Sequence, residues 1–230
     1  MSAPPLRDIL HLAKLALAFG RKNRATLHPD GWTPESDTDH TVMLALIAPA
    51  LAHALRPDLQ PDLVAAFVVV HDLAEVKVGD TNTFGISAED LAAKVVREAA
   101  ALEELREELA AFPWIVNLLE RYELQQEPEA RWCRYVDKIM PKLTHSFNGG
   151  VALLHMPLKD APHIALRKEG DALRQTLRDA YPEFPELDVL YGEALDVAVA
   201  AASVPRGALH RLRRLQESAD LLKAFGHRTA

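Results

Sequence analysis

The sequence predicts an all-α fold, a helical bundle with additional helices at its C-terminal end. Three observations carry this reading. Apolar residues recur at helical rather than alternating spacing along most of the chain. Several segments open on helix-start residues: Ser36 or Asp37, Ser87 with Asp90 three residues on, and the first-turn prolines Pro113 and Pro128. Breakers such as Gly20, "RPDLQPD" and "FNGG" fall between them. The 230 residues, 49% hydrophobic and 26% charged, suffice for a large core without cross-links.

The first helix is expected over Pro5 to Phe19, with Ile9, Leu12, Ala16 and Phe19 on one face and Gly20 as its stop. "RKNRATLHPDGWTPESD" has Pro, Gly and polar signals and reads as a long loop. A second helix runs from Ser36 or Asp37 to Arg56, kinked at Pro49. The third element spans Pro61 to Val78. Its Val68-Val69-Val70 run has strand propensity, but the length and the Ala-rich start favour a buried helix. "GDTNTFGISAED" is a loop that ends in the Ser87 cap of a helix reaching Ala111, striped by Leu91, Val95, Leu102, Leu105 and Leu109. Pro113–Leu124 and Pro128–His145 follow, then helical pieces over Ala161–Ala180, Leu187–Ala202 and Gly207–Phe225. Gly149-Gly150 is the one boundary candidate. It divides a core of residues 1–150 from an extension, 151–230, packed on it as one structural unit.

Composition narrows the function. A formal charge of −7 repels a nucleic-acid backbone and argues against DNA or RNA as partner. The lone Cys133 excludes an internal disulfide and suits a reducing compartment. No secretory leader and no membrane span is expected, so the location expected is cytoplasmic, without a membrane partner. The basic, amphipathic C-terminal stretch carries Leu209, Leu212, Leu215, Leu222 and Phe225, an ordinary core stripe for its own domain or a dimer.

The polar groups at core positions are the informative ones. "VVVHDLAEVKVGD", residues 68–80, ends an apolar run in His71 and Asp72. His40 shares a helical face with Met43, Leu44 and Ile47. Alone it reads as a core histidine satisfied by one hydrogen bond. Asp137 lies between Tyr135-Val136 and Ile139-Met140. An unpaired buried charge is very costly, so these groups need partners. Ion pairing among them is one solution; a divalent metal is the better one, because two imidazoles and two carboxylates cancel its charge. Glu75, one turn beyond His71, and Asp80, after Gly79, are carboxylates beside that set, placed for proton transfer. Taken alone, Glu75 also reads as an exposed helix acid paired with a lysine. Lys77 lies between them, solvated or in reach of a phosphate. Pro141 removes the N–H that would bond the Asp137 carbonyl, so a kink or an alternative donor is expected there.

His40, His71-Asp72 and Asp137 together resemble the HD-domain metal-dependent phosphohydrolase superfamily. The flanks "PESDTDH", "HDLAEVKVGD" and "ERYELQQEPEARWCRYVDK" look like its 5′-deoxynucleotidase branch. The likeness covers about Arg24 to His145, roughly half the chain. It implies the HD-domain helical bundle, usually as a homodimer, and one divalent metal: cobalt or manganese, with zinc, nickel, iron and magnesium as alternatives. It also implies release of phosphate from (deoxy)nucleoside 5′-monophosphates. It carries the ligand role onto His40, His71, Asp72 and Asp137, the catalytic acids onto Glu75 and Asp80, phosphate binding onto Arg24 and a sugar contact onto Glu123. Two departures bear on substrate choice. Trp32 lies eight residues after Arg24 rather than close behind it, and "TNTFG" follows Asp80 where the branch tends to "TP".

No histidine lies between Asp72 and Asp137, which favours one metal over two. The rival readings are a deoxynucleoside triphosphate triphosphohydrolase with the same four ligands, a guanosine tetraphosphate hydrolase, and a catalytically silent metal- or nucleotide-binding protein.

Overall fold

The structure, a computed structural model, describes residues 4–82 and 84–204. Helices dominate, as expected, and a two-stranded hairpin is the one sheet among the described residues. Helix α1 (Leu6–Phe19) is followed by strands β1 (Asn23–Leu27) and β2 (Pro34–Ser36). Then come α2 (Asp37–Leu55), α3 (Pro61–Val70), the single turn α4 (Glu75–Val78) and α5 (Ala88–Glu108). The chain continues with α6 (Pro113–Leu124), α7 (Pro128–Asn148), a short 3-10 turn, α8 (Pro162–Ala180) and α9 (Pro185–Ala202). The helix expected over 207–225 lies outside the described residues.

The hub of the bundle is α7, against which α2, α3 and α9 pack. Its middle is sealed from solvent: Trp132, Tyr135, Val136, Ile139 and Met140 are all buried. Full burial of each such side chain contributes about 1.5–3 kcal/mol. Trp132 adds a hydrogen bond from its indole Nε1 to the Ala48 carbonyl, 3.0 Å, which ties α7 to α2. Gly170 lies where α8 crosses α9, and a Cβ there would press into the Leu195 side chain. Both α2 and α7 continue through their internal prolines, Pro49 and Pro141. By length and composition alone, α2 is the one helix among the described residues apolar enough to cross a membrane, contrary to the expectation of no such segment. It packs on α3 and α7 and opens with Asp37, Asp39 and His40.

Several elements differ from expectation. The loop expected after Gly20 holds the hairpin, with Asn23 opposite Ser36 and Leu27 opposite Pro34. Its strands are only five and three residues long and joined irregularly, so turn residues dominate the sequence signal. Asp30 organises the turn by accepting hydrogen bonds from the Trp32 and Thr33 N–H groups, both 3.0 Å. The long helix expected over 61–78 breaks after Val70. Beyond it the backbone winds tighter, Glu75 N–H bonding Asp72 O at 2.9 Å and Val76 N–H bonding Leu73 O at 3.2 Å, both three residues back. On α1 the buried residues are Leu15 and Phe19, whereas Ile9 and Ala16 face solvent. On α5 only the C-terminal half of the stripe is covered: Leu105 is buried, as is Leu109 just beyond the helix, while Leu91 and Val95 are exposed. That helix meets its neighbours α4 and α6 without burying its first turns.

Candidate metal centre

Three elements bring the four expected ligands together. His40 comes from the first turns of α2, whose start is fixed by a capping box. Ser36 Oγ accepts from the Asp39 N–H at 3.1 Å, and the Ser36 N–H donates to Asp39 Oδ2 at 3.0 Å. His71 and Asp72 sit at the break after α3, where the tight turn delivers both side chains to one place. Asp137 projects from the middle of α7. One donor atom from each of His40, His71, Asp72 and Asp137 lies within 4.8 Å of every other. Four such donors gathered this closely could hold a divalent cation between them.

The imidazoles are presented as ligands. His71 Nδ1 donates to the Val68 carbonyl at 2.7 Å, which fixes the ring and turns Nε2 toward the cluster. His71 Nε2 is buried and makes no hydrogen bond, although Asp72 Oδ2 is 3.0 Å away; the approach is close but misaligned. His40 Nδ1 faces Glu35 Oε1 at 3.4 Å, and its Nε2 meets Asp137 Oδ1 at 2.9 Å. An orphaned ring nitrogen and a mixed set of two nitrogens and two oxygens fit a divalent cation.

Electrostatics without a cation show the same demand for positive charge. Burial opposes protonation of His40, but hydrogen bonds to Asp137 and Glu35 pull its pKa up to about 9. Burial also works against the ionised Asp72 and Asp137; His71 and Arg24 hold the first far below the carboxylate range, and Lys138 and His40 the second. Lys138 Nζ is 2.7 Å from Asp137 Oδ2.

Around the ligands stand the other expected residues. Arg24 Nη1 donates to Asp72 Oδ2 at 2.8 Å and lies 3.5 Å from Asp37 Oδ1 and 3.8 Å from Glu75 Oε2. Burial, with Asp72 and Asp80 nearby, pushes Glu75 up to about 10, against the pull of Arg24. Burial raises Asp80 as well, although Arg24 and the Ala25 N–H stabilise its charge. Glu123 is at the periphery: its Oε2 is 3.8 Å from Arg134 Nη2, and burial raises its pKa. Tyr122 links that region to the centre, with its ring edge-on to His71 at 6.3 Å and under the Arg134 guanidinium at 4.9 Å. Lys77 is elsewhere. Its ammonium pairs with Glu108 and lies 3.6 Å from Glu104, both on α5.

Two further acids belong to the site and carry no sequence signal beyond their place in "PESDTDH". Glu35 accepts from Thr26 Oγ1 at 2.6 Å and Thr144 Oγ1 at 3.3 Å while backing His40. Asp37 is fully buried beside Arg24, and burial pushes it up to about 6.

The HD domain family model matches residues 21–169. The crystal structure of the predicted metal-dependent phosphohydrolase of Magnetospirillum magnetotacticum MS-1 superposes with a TM-score of 0.64. It is 19% identical, over 87% of this chain and 97% of that one. The PH0347 protein of Pyrococcus horikoshii OT3 gives a TM-score of 0.52 at 22% identity, over 83% of this chain and 99% of that one. No curated protein matches the chain. The family model covers well over half the sequence and takes in every expected ligand, so the chain belongs to the HD-domain family.

Proposed function

We propose that the protein is a metal-dependent phosphohydrolase acting as a 5′-nucleotidase, which releases phosphate from (deoxy)nucleoside 5′-monophosphates. The observation that carries this is the two-histidine, two-aspartate cluster with one arginine and one further buried acid against it. The similarity to the Magnetospirillum protein supports the hydrolase class, and the likeness of "HDLAEVKVGD" supports the branch.

Phosphate monoesters hydrolyse extremely slowly in water, so the barrier to be lowered is large. His40, His71, Asp72 and Asp137 would hold a divalent cation, which would supply Lewis acidity and a water of lowered pKa. Arg24 balances the charge on the phosphoryl oxygens from the Asp72 side. Glu75, whose carboxyl burial and the neighbouring Asp72 push up, is the acid that delivers a proton to the departing 5′-oxygen. Asp80, whose carboxyl burial raises against the pull of Arg24 and the Ala25 N–H, is the base that takes a proton from the attacking water.

One observation favours a second reading. Arg134 and Lys138 stand one turn apart on α7, next to Asp137, and offer charge for additional phosphates. That suits a deoxynucleoside triphosphate triphosphohydrolase. Product release from nucleoside mono- and triphosphates, with manganese or cobalt supplied and Asp72→Ala as control, separates the two. Free phosphate from monophosphates, lost in the control, is the expected result. Release of tripolyphosphate would move the protein to the second reading, and silence with metal tightly bound would leave a binding protein.

A further inference from the structure

Three acids crowd a single nitrogen of Arg24. Its Nη1 lies 2.8 Å from Asp72 Oδ2, 3.5 Å from Asp37 Oδ1 and 3.8 Å from Glu75 Oε2. Asp72 belongs to the ligand set, and Glu75 to proton transfer. Asp37 has neither task. We infer that Asp37 is a positioning residue, which anchors the Arg24 guanidinium at the edge of the metal centre so that it meets the phosphoryl group of a bound phosphomonoester.

The hairpin fixes this geometry. Asn23 pairs with Ser36, and the Asp37 N–H donates to the Lys22 carbonyl at 3.0 Å, so the backbones that carry Arg24 and Asp37 are held together. The ordinary role for an acid in the first turn of a helix is to complement the helix dipole. That role is already filled here by Asp39 of the capping box, from an exposed position. It also does not call for full burial, whereas Asp37 is 0% exposed and its Oδ2 receives no hydrogen bond. A buried carboxylate in that state is costly, and an apolar side chain would be cheaper. The charge makes physical sense through its attraction for Arg24, which is itself only 14% exposed at the side chain. When Asp72 shares its charge with a cation, its hold on Arg24 weakens, and Asp37, 3.5 Å from the same nitrogen and outside the ligand set, keeps the guanidinium oriented.

The inference rests on the phosphate-binding role of Arg24, so its test includes that residue. The dissociation constant of inorganic phosphate on the manganese-loaded full chain is measured by calorimetry for wild type, Asp37→Val, Asp37→Asn, Arg24→Ala and Asp37→Val/Arg24→Ala. KM and kcat on the best substrate of the panel above, and the melting temperature, are recorded alongside. Asp37→Val is expected to weaken phosphate and raise KM about tenfold, the size of one lost charge-assisted contact, with kcat less affected. Asp37→Asn, which retains an oxygen for Arg24, recovers part of the loss. The double variant binds no worse than Arg24→Ala, because both substitutions remove the same contact. If Asp37→Val fails to fold, Asp37→Asn and its double with Arg24→Ala carry the same comparison. Weakening by Arg24→Ala together with unchanged or tighter phosphate binding in the Asp37 variants overturns the positioning role alone. Unchanged binding in Arg24→Ala overturns the phosphate role of Arg24 and the inference with it. A change in melting temperature alone makes Asp37 structural and also overturns it.

Discussion

Replacing Glu35 by Gln asks whether His40 is made a ligand by what lies behind it. Glu35 is 4% exposed. Its Oε2 accepts from Thr26 at 2.6 Å and from Thr144 at 3.3 Å, and its Oε1 is 3.4 Å from His40 Nδ1. Burial pushes this carboxyl up, but the contacts with His40 and Thr26 outweigh it and hold the group ionised, below its usual range. Glutamine preserves the volume and one oxygen for the threonines. It removes the charge that polarises the His40 N–H and can turn an N–H toward the ring. An imidazole without that support is a weaker base at Nε2 and freer to rotate. Loss of such a backing group costs about 10- to 100-fold in metal affinity, or about 1.4–2.7 kcal/mol. The metal-free fold loses less, about 1–2 kcal/mol, because charge-assisted hydrogen bonds become neutral ones. Calorimetric titration of metal-stripped protein with manganese or cobalt reads the first quantity, and melts with and without metal read the second. Metal affinity within about twofold of wild type, with the stability loss present, would refute the argument that Glu35 acts through His40.

Two further predictions follow from the same geometry. Glu75→Gln is expected to lower kcat by about 10²- to 10⁴-fold, the usual worth of a general acid, while metal affinity stays near wild type; a parallel loss of metal would place Glu75 among the ligands instead. His145 is buried with an unpartnered Nδ1, and burial, with Lys142 next to it, pushes its pKa from 6.5 down to about 4. Between those values the unfolded chain takes up a proton that the native state refuses. Stability from this group is therefore complete above pH 6.5 and is lost as pH falls toward 4. The loss is about 2 kcal/mol by pH 5 and about 3 kcal/mol in all. Denaturant melts at pH 7 and pH 5 should show it as a difference between wild type and His145→Asn; equal pH dependence in the two would sink it.

How far the sequence could be read depended on range. The helix starts at Ser36, Ser87, Pro113 and Pro128 were legible because caps and first-turn prolines act on their own few residues. The hairpin was not, because strands of five and three residues gain their order from pairing and from α7 and the turn beyond it, not from local propensity. The break after Val70 was hidden for a related reason. Val68 to Val70 continue an apolar run, and only the packing around α3 shows that the run stops as a helix at His71. Lys77 read as a phosphate candidate by its place between Glu75 and Asp80; the acids of α5 that hold it are about 30 residues away in sequence, and nothing local announces them.

By itself the sequence determined the chemistry on offer. Charged and imidazole groups at core positions 40, 71, 72 and 137 require compensation wherever the chain folds, since burying them unpaired is too costly, and that requirement is visible one residue at a time. Only the tertiary structure decided who compensates whom. It set His40 against Asp137, 97 residues apart, placed Glu35 behind the first and Lys138 at the second, and drew Asp72, Asp37 and Glu75 around one guanidinium. Such pairings rest on distances of a few ångströms between distant segments. Those distances are fixed by the packing of α2, α3 and the hairpin on α7, which residue types alone do not encode.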